Sequence, residues 1–386
     1  MFFTVVGHSE EIDAEDIFQE LKEQTAGNLA GRKPKAGILF ACIDTEHQAL
    51  LDFINEEWPD IQLIGCTTDG ELSSNKGFLQ DSVVLMLLGS DQIDITAGVG
   101  RNVSKNTHNA CSQAFGKAKD KTSQDAKFCI TLPEGLSANS EKIVRELNSE
   151  TGETIPCFGA TAGDQWQFKS TYQYYCEEVL SDSVPVLLFS GLVNYSYGVA
   201  SGWKPIGKPG TVTRSDGNVV HEIDNEPAIQ FYKKFMGQNA KPTGECPLAI
   251  LNDNQELICL RASLENVDEQ TGAISFLGDV PQDVIVQITT ADRDAIIEGC
   301  KQSINLASER FPQNASPEAM VIFSCAARKL LLGTRTNEES IAIKEKYGNA
   351  LPFIGFYGYG EIGPVKEKSG NTEYHNDTFV SLLIGE

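Results

Sequence analysis

Apolar residues along the chain fall in short blocks separated by polar turns, and the blocks recur in a fixed order. Three of them end in a spine of small residues: Ile64-Gly65-Cys66-Thr67-Thr68-Asp69-Gly70-Glu71, Phe158-Gly159-Ala160-Thr161-Ala162-Gly163-Asp164, and Ile354-Gly355-Phe356-Tyr357-Gly358-Tyr359-Gly360-Glu361. A polar loop and a closing apolar strand follow each, starting at Asp81-Ser82, Asp182-Ser183 and Asp377-Thr378. Another apolar strand precedes each, at 37–43, 126–132 and 319–324, and a strand with a helix precedes that, at 2–7 with 13–24, 93–100 with 105–118, and 284–289 with 292–309. The helices carry apolar residues at i, i+4 and i+7, as at Ile17 and Leu21, which is amphipathic spacing. The repeating unit is therefore β-α-β-α-β-loop-β.

The first two spine glycines are 159 − 65 = 94 residues apart and the next pair 355 − 159 = 196, about twice as far. A degenerate copy is expected in the long gap, with a strand at 195–202, a helix at 227–236 and strands near 247–251 and 273–277. Hairpin signals at Asp216-Gly217-Asn218 and Thr271-Gly272 elaborate it. One unit has too few elements to cover its own sheet, so units must pair. The expected fold is α/β, with mixed sheets in repeated units arranged as two domains, 1–205 and 206–386, and the break falls near Gly207-Lys208-Pro209-Gly210.

At 386 residues the chain is long enough for a substantial core, and 41% apolar with 22% charged residues is ordinary globular composition. The net charge of 31 − 54 = −23 opposes nucleic acid and anionic membrane as partners. Apolar runs such as Val83-Val84-Leu85-Met86-Leu87-Leu88 fall far short of the roughly 20 residues a bilayer span needs. Met1-Phe2-Phe3-Thr4-Val5-Val6 runs into Glu10 and Glu11, and so reads as a first strand rather than a signal peptide. Ten cysteines without a CxxC, most in apolar surroundings, read as reduced core thiols of a cytoplasmic protein.

Gly358-x-Gly360-x-x-Gly363 matches a dinucleotide fingerprint, but Pro364 to Gly370 reads as loop where that fold needs a helix, so the match is accidental. Gly65, Gly159 and Gly355 read as tight turns; in the third element Tyr357, Tyr359, Gly360 and Glu361 suit a pocket as well as a turn. Glu71 and Glu361 hold equivalent places, with Asp164 nearly so, and each carboxylate either receives a ligand ammonium or caps its own turn. Arg328 follows a strand end, where it can hold a carboxylate or bridge to Glu338 or Glu361. His8, His47 and His108 are expected in solvent, whereas strand alternation can turn His221 inward and His375 lies near the Tyr359 loop. Cys325 with His375 would make a thiol nucleophile system, yet its apolar flanks suit an inert thiol, and no catalytic motif supports an enzyme.

The glycine element at Gly65 to Glu71, with Glu222-Ile223-Asp224-Asn225-Glu226-Pro227-Ala228, Cys325-Ala326-Ala327-Arg328, the run from Gly355 to Pro364 and His375-Asn376-x-Thr378, resembles the FIST family of sensory proteins with FIST_N and FIST_C domains. The resemblance spans nearly the whole chain. It implies a cytoplasmic small-ligand sensor with no catalytic role, with Arg328, Tyr357, Tyr359, Gly360, Glu361 and Asn376 as ligand contacts. One branch, the NosP type, binds haem and senses nitric oxide for a histidine kinase or a cyclic-di-GMP enzyme. For this chain that branch implies haem b, with His375 or His221 as alternative iron ligands. The other version is a sensor of an amino-acid-like or other polar metabolite, without haem.

Overall fold

The computed structural model describes residues 2–152, 154–364 and 371–386. The segment 365–370, expected as a loop, lies outside the described residues. Three units of one design make three six-stranded mixed sheets. In the first unit Phe3–Ser9, Val83–Gly89, Ala36–Ala41 and Gln62–Thr67 lie side by side, with only the last pair parallel. The second repeats this order with Ile93–Arg101, Ser183–Gly191, Ala126–Thr131 and Cys157–Ala160. The third uses Asn194–Ala200, Phe379–Gly385, Ala319–Cys325 and Phe353–Gly358.

Each sheet is completed by a hairpin from a neighbouring unit. Glu71–Ser73 and Gly77–Leu79 of the first unit extend the third sheet, Gln173–Tyr175 and Glu178–Leu180 of the second extend the first, and Glu361–Gly363 and Glu373–His375 of the third extend the second. The exchange closes into a ring. Its hub is a cycle of equivalent backbone bonds: Asp69 N to Tyr357 O at 2.8 Å, Tyr359 N to Thr161 O at 3.2 Å and Gly163 N to Thr67 O at 2.9 Å. The inner sheet faces meet in a central core, where Phe40 packs on Phe356 and Phe128 on Phe189, each with ring centroids 4.5 Å apart. Helices including Ala14–Leu29, Thr107–Lys119 and Arg293–Arg310 cover the outer faces. Asn106 caps the second of these, accepting from Asn109 N at 3.1 Å, and Asp292 caps the third, accepting from Ala295 N at 2.8 Å. Burial on both faces explains the apolar runs without alternation, such as Val83–Gly89.

The α/β class with mixed sheets of repeated units is as expected. The degenerate fourth copy is not there. Asn194–Ala200 opens the third unit, and the chain then leaves for an inserted sheet before returning at Arg293–Arg310. That sheet orders Glu226–Pro227, Val219–Ile223, Gly210–Asp216, Ile285–Thr290, Leu248–Leu251 and Leu257–Arg261, with the helix Ala228–Met236 and a core of its own. Its spacing mimics a repeat only because an insertion of similar length splits the third unit.

The spine glycines are also not turns. All three lie inside strands, where a Cβ would come within 2.2 Å of Leu39 O at Gly65, 1.8 Å of Thr131 O at Gly159 and 2.6 Å of the Ile322 Cβ at Gly355. Close approach of the parallel partner strand, not a bend, demands glycine there.

Candidate functional site

The parallel strand pairs of the second and third units end side by side, and the inserted sheet stands over those carboxyl ends. Between them lies a cavity of about 790 Å³. The loop residues around Asn139 and Ser140 form one side with Trp166, Phe168 and Tyr359, Cys325 to Ala327 with Leu330 and Gly358 form the floor, and Thr243 to Glu245 with Leu264, Glu265 and Phe276 to Asp279 form the inserted side. Crevices outside strand carboxyl ends are where α/β folds bind ligands, and this volume suits a small organic molecule.

Tyr359 organises the wall. Its hydroxyl donates to Asp164 Oδ1 at 2.6 Å and accepts from Trp166 N at 2.7 Å. Its ring centroid is 5.5 Å from that of Phe168 and 5.8 Å from that of Trp166. Asp164 also accepts from Phe168 N, Lys169 N and Ser170 N at 3.0, 2.7 and 3.2 Å, so one carboxylate holds the whole loop. Burial opposes ionisation of Asp164, but the Tyr359 hydroxyl and these amides outweigh it and keep the carboxyl below its usual range. The loop is strained: Gln165, Trp166 and Phe168 have φ of 55°, 62° and 51°, a left-handed cluster without a glycine. Such strain persists only where the surroundings enforce it, and it concentrates at binding sites.

Of the ligand contacts expected from the sequence, Tyr359 and Asn376 line this cavity, and so does Cys325, the thiol weighed as a nucleophile. Asn376 is buried, its Oδ1 accepting from Ala262 N of the inserted sheet at 3.2 Å. Gly360 lies beneath the wall: a Cβ there would come within 2.0 Å of the Tyr374 hydroxyl. Three expected contacts are corrected. Arg328 is wholly buried and pairs with Glu339 at 2.6 Å while also donating to the Ser201 and Ile296 carbonyls. Tyr357 donates to the other oxygen of Glu339 at 2.6 Å, so both belong to one internal polar network. Glu361 is sealed behind the floor, with Oε2 accepting from Thr378 N and Oγ1 at 3.0 and 2.8 Å.

Glu71 and Glu361 do hold equivalent places, each opening its unit's exported hairpin. The second unit's equivalent is Gln173 rather than Asp164. Gln173 Oε1 accepts from Ser183 N and Oγ at 3.2 and 3.0 Å, the counterpart of Thr378 on Glu361. Burial pushes both carboxyls up to about 8, which leaves them largely neutral like the amide.

The histidines do not fit haem. None lines the larger cavity. Strand alternation sends Tyr374 and Asn376 into it and turns His375 the other way, onto a separate cavity of about 350 Å³. There its Nε2 is 2.8 Å from the Gly363 carbonyl oxygen, and burial lowers its pKa to about 4. His221 is half-buried in the inserted sheet and lines neither cavity. The expected solvation of His8 and His47 is also overturned: His8 is buried between the Ser73 and Ser82 hydroxyls at 2.7 and 2.9 Å, and half-buried His47 bonds the Tyr174 hydroxyl at 2.9 Å. The residues missed were the loop aromatics and the contribution of the inserted sheet. Trp166 and Phe168, two large apolar rings within the polar stretch Asp164 to Ser170, were the available signal.

The profile of the FIST N domain matches residues 35–226, and that of the FIST C domain matches residues 228–364. The chain belongs to the FIST family. The two FIST segments meet inside the inserted sheet, so both profiles take part of it. An uncharacterized protein of Mycobacterium tuberculosis is 23% identical over 409 residues, covering 98% of each chain. Another, from Methanocaldococcus jannaschii, is 23% identical over 342 residues, 81% of this chain and 62% of the relative. Among solved structures, the FIST chain overlaps cyanuric acid hydrolase from A. caulinodans with a TM-score of 0.40 at 7% identity, covering 100% of this chain and 99% of that one. A second cyanuric acid hydrolase structure gives 0.39 at 9% identity, with both chains covered in full. Among the described residues of this FIST protein, no helix is long and apolar enough to cross a membrane.

Proposed function

We propose that this FIST protein is a cytoplasmic small-ligand sensor whose ligand binds in the cavity between the inserted sheet and the ring of three units. The observation that carries the reading is the aromatic loop held by the Tyr359–Asp164 bond on one side of that cavity, with a separately cored sheet on the other. A ligand touching both sides changes how tightly the sheet rests on the ring, and a separate signalling protein, such as a histidine kinase or cyclic-di-GMP enzyme, reads that difference. The reading assigns no reaction. Burial drives the Cys325 thiol well above its ordinary pKa, which suits a packed side chain rather than a nucleophile. The polar-metabolite version is favoured over haem and nitric oxide because no imidazole faces the cavity.

A thermal-shift screen of metabolites on the full chain tests this, with Tyr359→Ala and the milder Phe168→Ala beside the wild type. The expected result is a ligand class that raises the melting temperature of the wild type and acts weakly or not at all on both variants. Stabilisation equal in all three proteins, or none in any, rejects the cavity as the sensor site. A Soret band on added haem that disappears in His375→Ala or His221→Ala would instead restore the haem version.

A further inference from the structure

The cavity's charge and its aromatic wall define the chemistry of what enters it. The charged side chains lining it are Glu245, Glu265 and Asp279, all from the inserted side, and no described Lys, Arg or His lines it. Glu265 is already paired with Lys241, Oε2 to Nζ at 2.8 Å. Glu245 and half-buried Asp279 form no ion pair among the described residues. The buried Arg261 directs its guanidinium to Glu141 at 2.6 Å and to the Asp279 and Tyr374 carbonyls at 2.9 Å, and it does not line the cavity. Across from the carboxylates stand the rings of Trp166, Phe168 and Tyr359, whose π faces attract cations. The mouth is apolar: Phe168, Leu264, Leu277 and Leu330 line the cavity and are 50%, 48%, 41% and 65% exposed, although large apolar side chains ordinarily avoid water.

Building on the cavity as the sensor site, we infer that its ligand is an organic cation: an amine or quaternary ammonium on an aromatic or aliphatic body, without a carboxylate. The cationic head sits between the aromatic wall and Asp279 or Glu245, and the body lies against the leucines of the mouth. Such a molecule touches the ring of units through its π contacts and the inserted sheet through its charge, so it draws the two together. A free amino acid or a haem would bring carboxylates to a cavity that has no basic side chain to receive them. The chain's net charge of −23 favours approach of a cation over either.

The test uses one body with different heads. Phenethylamine, phenethyl alcohol, hydrocinnamate and phenylalanine are titrated into the full chain by calorimetry. Phenethylamine should bind at least about tenfold more tightly than the alcohol, and the two carboxylates should not bind. Added salt should weaken only the amine. Asp279→Asn and Glu245→Gln preserve shape while removing charge, and each should weaken the amine several-fold while leaving the alcohol unchanged. Equal or tighter binding of alcohol or carboxylate at a site lost in Phe168→Ala overturns the cation inference while leaving the sensor site standing. No binding of any of the four also overturns it; the metabolite screen then decides the fate of the sensor site separately.

Discussion

At the scale of residues, the same buried place in three units shows what burial does to a carboxyl. Glu71, Gln173 and Glu361 open the three exported hairpins, and the hydroxyls of Ser82, Ser183 and Thr378 donate to them at 2.6, 3.0 and 2.8 Å. An amide serves in the second unit because the two glutamates are themselves held largely neutral, at about 8. Glu361→Gln should therefore fold normally and sit within about 1 kcal/mol of the wild type near pH 4, where the carboxyl is largely protonated in the folded and unfolded chain alike. Its effect is better read against pH. The folded carboxyl keeps its proton to about 8 while the unfolded one loses it near the ordinary 4.5, so the contribution present below that value is lost as pH rises through this window. The melting temperature of the variant minus that of the wild type should climb from pH 5 to pH 8; a flat difference would show Glu361 to be ionised in the fold. Tyr359 works locally in a different way. Tyr359→Phe removes the hydroxyl that joins Asp164 to Trp166 N, and should cost about 1 kcal/mol and speed hydrogen exchange along 165–170 while leaving the central core protected. Arg328 shows why residue type alone misleads: a guanidinium after a strand end suits a ligand or an internal carboxylate equally, and only packing supplied Glu339.

At the scale of elements, the strands and helices of each unit were readable from apolar blocks and amphipathic spacing, because both patterns are local. The glycine spine was readable as a repeat but not as a cause. What makes glycine necessary is the neighbouring strand's carbonyl, which belongs to another segment of the chain. Gly159→Ala places a methyl within 1.8 Å of Thr131 O in the middle of a sheet, where backbone cannot step aside. It should lower stability by about 3 kcal/mol or more, or prevent folding, whereas Gly116→Ala, on a helix surface with nothing within 4 Å, should be neutral or slightly stabilising by urea denaturation. Similar losses at both positions would reject the close-approach account. The hairpin exchange was illegible for a related reason: a short strand after a glycine turn reads identically whether it pairs with its own unit or the next.

At the scale of the whole molecule, the exchange makes the three units one structure. The second unit's sheet ends on a hairpin from the third, and the first unit's hairpin has its partner strand only in the third. A fragment of residues 1–192, holding two complete repeats by sequence, should lack both pairings and expose much of the central core. It should show no sharp cooperative unfolding in calorimetry, and a fragment melting as cleanly as the full chain would contradict the ring. The inserted sheet stands differently, with its own apolar core, and the cavity lies between it and the ring.

By itself, the amino-acid sequence determined the repeat, the α/β class, the family and the importance of the Tyr359 region, because these rest on periodicity and on neighbours along the chain. Tertiary structure alone decided that the third unit is split by an insertion, that Arg328, Tyr357 and Glu361 serve the interior, that His375 turns away from the cavity, and that Trp166 and Phe168 face it. These outcomes depend on which distant segments share a sheet edge and on which side of a strand each residue falls. Packing of the entire chain sets both, and no local pattern carries them.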